Sequence, residues 1–232
     1  MTAKLTKKRK SMQPLYEKEK LYKLNEAMDI LKNAPKSKFD ETVELAMNLG
    51  LNPKDPQQAI RGTATLPHGT GKKIRVCVFC KVADEQKAKD AGADFVGSEE
   101  LVKKISGGWC DFDVAIASSA MMREIAKLGR VLGPRGLMPN PKTGTVTDDI
   151  EKTIKEVKAG KIEFKMDKQG GIHVGVGKIS FEKDAISENV RKLIKAIFSS
   201  NPNLNKPQMV KSITLTTTMG PGLKLEISEF RK

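Results

Sequence analysis

Lys73-Ile-Arg-Val-Cys-Val-Phe79 and Asp113-Val-Ala-Ile-Ala117 decide how the middle of this chain folds. Both are short, largely apolar runs bounded by polar segments. Such runs mark strands covered on both faces, as in a parallel sheet held between helical layers. The segments around them read as helices and one more strand. Asp84–Ala91 forms a short polar helix ending at Gly92, and Phe95-Val96 a brief strand. Ser98 to Ile105 follows as a helix, with Ser98 as N-cap and Gly107-Gly108 as its stop. Ser118 or Ser119 caps a helix through Leu128, and Thr147 caps one over Asp148–Lys158. Asp148 and Asp149 then lie in a first turn, where carboxylates complement the helix dipole. This β-α alternation predicts a small three-layer α/β domain.

Outward from this segment the period changes. Val43, Leu45, Met47 and Leu49 alternate with Glu44, Ala46 and Asn48, the pattern of a half-buried strand. Ile60–Leu66 alternates too and is expected to pair with it. Asn25 is expected to cap a helix through Ala34, and further strands are expected at 161–166, 172–179, 210–218 and 222–227. Between them Ile186, Val190, Leu193, Ile194 and Ile197 share one helix face. Antiparallel strands with two helices make an α+β domain, and so few helices leave one sheet face or edge open for a partner. Boundaries near Leu66-Pro67-His68-Gly69 and Ala159-Gly160-Lys161 place residues 68–159 as an insertion into an outer domain of 1–67 plus 160–232. An insertion of this kind brings the two flanks together.

The charge follows the same division. Lys and Arg number 42 against 28 Asp and Glu, a net +14. The insertion carries 16 basic and 13 acidic residues, a net +3, and the flanks carry the other +11. A polyanionic partner fits this balance, and nucleic acid fits better than a membrane. No apolar run approaches the ~18 residues that span a bilayer. The N-terminal cations precede no apolar core, so no secretory signal is expected. One Trp and two Tyr argue against single-strand binding on a stacking platform, and favour a folded, phosphate-rich RNA surface. Lys4, Lys7, Lys8, Arg9 and Lys10 read as a basic arm that gains order on phosphate. Three cysteines, Cys77, Cys80 and Cys110, fit a reducing, cytoplasmic setting.

Gly129-Arg-Val-Leu-Gly-Pro-Arg-Gly-Leu-Met-Pro-Asn-Pro-Lys-Thr-Gly-Thr145 is too rich in Gly and Pro for regular structure, yet keeps apolar anchors at Val131, Leu132, Leu137 and Met138. It reads as a packed loop carrying Arg130, Arg135 and Lys142.

Catalytic motifs do not assemble. Gly69-Thr-Gly-Lys-Lys73 lacks the first Gly and the final Ser/Thr of a phosphate loop, and Gly175-Val-Gly177 lacks the last Gly of a dinucleotide fingerprint. Cys77-Val-Phe-Cys80 lies within an apolar strand, so its thiols face opposite ways as ordinary core residues. His68 and His173 are the only histidines, and no nucleophile elbow accompanies them. No catalytic residue, metal or cofactor is expected. A nucleotide-using enzyme would need the missing phosphate loop. A DNA reader would need a recognition helix more polar than Ser187–Ser199.

Five segments, in order, resemble the bacterial form of the large-subunit ribosomal protein L-one family, the protein of the mobile ribosomal stalk. They are Lys38–Glu44, Arg61-Gly62 with Leu66–Gly69, Gly133–Lys142, Lys165–His173 and Thr216–Pro221. The resemblance implies two hinged domains, a split outer one and an inserted three-layer one. It implies binding to structured large-subunit rRNA as part of the large ribosomal subunit. It also implies help in releasing deacylated tRNA from the exit site, and repression of the protein's own operon mRNA. The RNA surface it implies lies on the outer domain, at Lys38, Phe39, Thr42, Asp167, Lys168, His173, Ser212, Thr218, Met219 and Gly220. Arg130, Arg135 and Lys142 remain candidates for a hinge-loop role or a secondary RNA or tRNA contact.

Overall fold

This computed structural model describes residues 7–35, 37–51, 58–206 and 208–230. The chain divides into two compact units, Met1–Gly71 with Ile162–Lys232, and Lys72–Lys161. The first stretch of the outer unit contains α1 (Lys7–Met12), β1 (Leu21–Tyr22), α2 (Leu24–Asn33), β2 (Thr42–Leu49) and β3 (Arg61–Thr65). The inserted unit follows with β4 (Val76–Phe79), α3 (Val82–Asp90), β5 (Phe95–Gly97), α4 (Glu99–Ser106) and β6 (Val114–Ala117). It ends with α5 (Met122–Ile125), α6 (Gly129–Leu132) and α7 (Ile150–Lys158). Then come β7 (Lys161–Lys165), β8 (Gly171–Lys178), α8 (Lys183–Ser200), β9 (Val210–Thr217) and β10 (Leu223–Leu225). Lys4 of the basic N-terminal cluster lies outside the described residues.

The inserted unit has a parallel sheet ordered β5-β4-β6. Successive residues of β4 feed opposite layers. Cys77 and Phe79 pack with Leu101 and Ile105 of α4 and with Ile125, Leu128 and Leu132. Val76 and Val78 pack with Ala88 of α3 and with Ile150, Ile154 and Val157 of α7. The three-layer α/β/α (Rossmann-like) expectation describes this arrangement. Cys80 belongs to the layer opposite Cys77, so the two thiols do not form a pair. Burial raises Cys77 to about 12 and Cys80 to about 11, which holds both as neutral thiols. Asp113 sits just ahead of β6 and ties the strand starts together. It accepts from Lys72 Nζ at 2.6 Å and from the Arg75 N–H at 3.1 Å, and the Lys72 bond in particular lowers its pKa.

Two local expectations fail here, and a third is met in position only. The segment after β6 is not one helix to Leu128. It is a series of short turns that runs on through Leu132, so the Gly-rich stretch opens with a helical turn. Apolar anchoring of Leu128 and Leu132 holds that turn, overriding the weak propensity of Gly129. Ser98 occupies the N-cap position of α4 but makes no side-chain capping bond. Asp148 and Asp149 precede α7 rather than opening it. Thr147 Oγ1 accepts from the Asp149 N–H, and Asp148 Oδ1 accepts from the Ser119 N–H, joining two turns.

The outer unit has a five-stranded sheet ordered β1-β10-β9-β2-β8. Its pairings are antiparallel except β1 with β10. Val43, Leu45, Met47 and Leu49 of β2 point to one side, packing with Met28 and Leu31 of α2 and with the apolar stripe of α8. β3 does not pair with β2. Both edges of β2 are occupied by β8 and β9, so β3 pairs with β7 in a separate two-stranded sheet. There Gly62 leaves room for the Phe164 ring, whose Cζ would lie 2.8 Å from an added Cβ. Helix α2 starts at Leu24, and Asn25 is not its cap. The Leu24 N–H is accepted by Glu229 Oε2 at 3.1 Å, a partner 205 residues away that local sequence does not reveal. Asn189 of α8 is fully buried and hydrogen-bonded on both sides. It accepts from the His68 N–H and donates to the Gly69 and Val176 carbonyls, clamping the Leu66–Gly69 turn to the core.

Candidate nucleic-acid interface

With α2 and α8 on one side of the outer sheet, the other side is open, and the strand register arranges it in rows. Gly175, Glu44 and Thr216 align across β8, β2 and β9. The next row holds His173, Ala46 and Thr214, and the next Gly171, Asn48 and Ser212. All nine positions are exposed or half-buried, whereas their neighbours Leu45, Met47, Ile213 and Leu215 are buried. The face is thus small and polar, rich in hydroxyls. Such a surface can approach a nucleic-acid groove closely and bond to 2′-hydroxyls.

Two built ends flank these rows. At one, the turn between β7 and β8 is organised by Asp167. Its Oδ1 accepts from the Gln169 N–H at 2.8 Å and the Gly171 N–H at 2.7 Å. These bonds, that to Gly171 first, lower its pKa and keep a carboxylate at the rim. Gly170 turns here at φ +84°, and a Cβ would lie 2.9 Å from the Leu49 carbonyl oxygen. Lys168 projects from the tip of this turn, and His173 Nε2 stands 3.9 Å from Asp167 Oδ2. Asp167, Gln169, Asn48, His173 and Ser212 line one shallow depression of about 200 Å³.

At the other end the segment before β2 meets the segment after β9. Thr42 and Thr218 bond reciprocally. The Thr218 N–H donates to the Thr42 carbonyl at 3.1 Å, and the Thr42 N–H donates to Thr218 Oγ1 at 3.1 Å. Glu41, only 6% exposed, accepts the Met219 N–H through Oε2 and the Ser37 hydroxyl through Oε1. That carboxylate sets two exposed apolar side chains, Phe39 at 55% and Met219 at 53%, at one corner. Gly220 has no room for a side chain, because a Cβ would collide with Thr217 Oγ1. Lys38 is exposed beside Phe39.

The ten outer-unit residues expected from sequence therefore fall into two groups. Lys38, Phe39, Thr42, Thr218, Met219 and Gly220 gather at one end, and Asp167, Lys168, His173 and Ser212 at the other. About six residues of β2, roughly 20 Å of strand, separate them. The sequence reading missed what lies between: Glu44, Ala46, Asn48, Thr214 and Thr216. Their signal is the alternation of β2 and β9, whose polar phase marks the open face as its apolar phase marks the buried one.

In the inserted unit, Arg130, Arg135 and Lys142 are all exposed. Their loop is held by its own bonds. Asn140 Oδ1 accepts from the Lys142 N–H, its N–H donates to Thr145 Oγ1, and Thr143 Oγ1 donates to its carbonyl. Val146 then bridges to Ala117 at the end of β6. Among the described residues, no group of three or more His, Cys, Asp and Glu is placed to hold a metal, and no helix is long and apolar enough to cross a membrane.

The class so defined is a split α+β unit with a three-layer α/β insertion and an open, hydroxyl-rich sheet face. The chain belongs to the ribosomal protein L1p/L10e family, whose model matches residues 30–221. It is 51% identical over 210 residues to the large ribosomal subunit protein uL1 of Protochlamydia amoebophila strain UWE25, covering 90% of this chain and 89% of that protein. It is 50% identical over 223 residues to uL1 of Chlamydia trachomatis serovar L2, covering 96% of each. To uL1 of Chlamydia abortus it is 51% identical over 214 residues, 92% of each.

Proposed function

We propose that this protein is a structural, non-catalytic constituent of the large ribosomal subunit that binds structured large-subunit rRNA through the open sheet face of its outer unit. The observation that carries the reading is the convergence of separate chain segments at the two ends of that face. Lys38, Phe39 and Thr42 come from the first stretch of the chain. Asp167, Lys168 and His173 come from the β7–β8 turn, and Ser212, Thr218, Met219 and Gly220 from the end of the chain. Family membership and the net +14 charge support it. Hydroxyls, backbone groups and two exposed apolar side chains suit a folded RNA with accessible 2′-hydroxyls. The inserted unit, through Arg130, Arg135 and Lys142, supplies a secondary contact to RNA or to exit-site tRNA and assists release of deacylated tRNA. The same outer face, binding a similar shape in the protein's own operon mRNA, represses its translation. The working location is the cytoplasmic ribosome.

The test is the affinity of the full-length protein for protein-free large-subunit rRNA as a function of salt. Neutralising about five phosphates gives a log–log slope near −4. A flat salt response overturns the reading.

A further inference from the structure

The open face does not stop at β9. Lys224 of β10 aligns with Thr214, and Leu21 of β1 aligns with Lys224. This extends the His173–Ala46–Thr214 row to five residues across the whole sheet. Four interstrand spacings of about 4.8 Å make it about 19 Å wide. Leu223 and Leu225, on either side of Lys224, are buried in the core, which puts Lys224 on the open side. Leu21 is 59% exposed while Tyr22 beside it is buried, which puts Leu21 there too. Among the described residues Lys224 has no ion-pair partner. Of the nearby acids, Glu44 stands in a different row, aligned with Thr216, Asp167 lies at the β7–β8 rim, and Glu226, two residues beyond Lys224, is half-buried and accepts the Ser228 hydroxyl.

We propose that Lys224 and Leu21 form a second edge of the RNA interface: Lys224 neutralises a backbone phosphate, and Leu21 packs on an adjacent sugar. This rests on the rRNA-binding reading and extends its footprint by two strands beyond every residue named for it above. Three arguments favour RNA as the occupant. The row is continuous with the hydroxyl-bearing rows of the candidate site. Its side chains between His173 and Lys224 are small, so a groove can lie flat across them. The cation stands at the far side, where the opposite backbone of a groove about as wide as the row would pass.

The experiment compares wild type, Lys224→Ala, Leu21→Ala and Lys195→Ala as full-length proteins binding protein-free large-subunit rRNA across a salt series. Lys195 is exposed on α8, on the covered side of the sheet, and serves as the control. Lys224→Ala is expected to weaken binding about fivefold and make the salt slope shallower by about 0.8, the loss of one phosphate contact. Leu21→Ala is expected to weaken binding about twofold with the slope unchanged. Lys195→Ala is expected to match wild type. If Lys224→Ala keeps the wild-type slope and affinity, the second edge is overturned while the rRNA reading stands, provided wild type still binds with a steep slope. A second overturning result is a photo-crosslinker at position 224 that, on assembled subunits, captures protein and no RNA.

Discussion

The two larger sheets of this protein solve opposite problems. In the inserted unit every residue of β4 is buried, and alternate side chains enter two helical layers. In the outer unit β2 alternates, with buried Val43, Leu45, Met47 and Leu49 separated by Glu44, Ala46 and Asn48 on an uncovered face. A sheet covered on both sides has stability as its whole content. A sheet covered on one side keeps a second surface on which substitutions are thermodynamically free and therefore available to a partner. The difference explains why net charge and candidate contacts concentrate in the unit with the simpler helical cover.

The comparison breaks most visibly if a polar residue is placed on each sheet. Val78→Asn buries an amide without partners in the inserted unit and is expected to cost about 3–5 kcal/mol in urea unfolding. Ala46→Asn on the open face is expected to stay within about 0.5 kcal/mol. Equal losses at the two positions would mean that the outer face is covered in solution.

A smaller loss sharpens the same contrast at a buried polar site. Asn189 is the one fully buried polar side chain among the described residues, and it is satisfied by His68, Gly69 and Val176. Asn189→Leu leaves those backbone groups unpaired and is expected to destabilise the protein by about 2–4 kcal/mol. Unchanged stability, or faster proteolysis nowhere near Leu66–Gly69, would show that the clamp does not hold that turn.

Periodicity made most of both sheets legible in the sequence. The alternation at Val43–Leu49 and the apolar run at Asp113–Ala117 landed on strands, and that at Lys73–Phe79 did so only from Val76, with Lys73–Arg75 outside the strand and not buried. What escaped was set by distant partners. Glu229, not Asn25, satisfies the start of α2. The pairing of β3 was decided by competition for the edges of β2, which local pattern cannot weigh. Asp148 was claimed by Ser119, a partner 29 residues away, in place of a helix dipole. In the candidate site, residue types at the two ends carried the family resemblance. Glu41 did not stand out, because its role depends on burial and on a bond to Met219, 178 residues further along the chain.

The smallest expected effect separates binding from stability on the open face. Thr218 Oγ1 accepts the Thr42 N–H at 3.1 Å, while its own proton has only a long 3.4 Å contact to the Thr42 carbonyl. That proton is therefore available to an RNA oxygen without breaking a good internal bond. Thr218→Ala is expected to weaken rRNA binding by about 1–3 kcal/mol. It should cost no more than about 1 kcal/mol of folding stability, since the lost internal bond is exposed. Thr218→Ser keeps the hydroxyl and is expected to restore binding. If the alanine variant loses stability and affinity in equal measure and serine restores neither, Thr218 serves the sheet and not the ligand. The contact surface would then shift to the Asp167 end of the face.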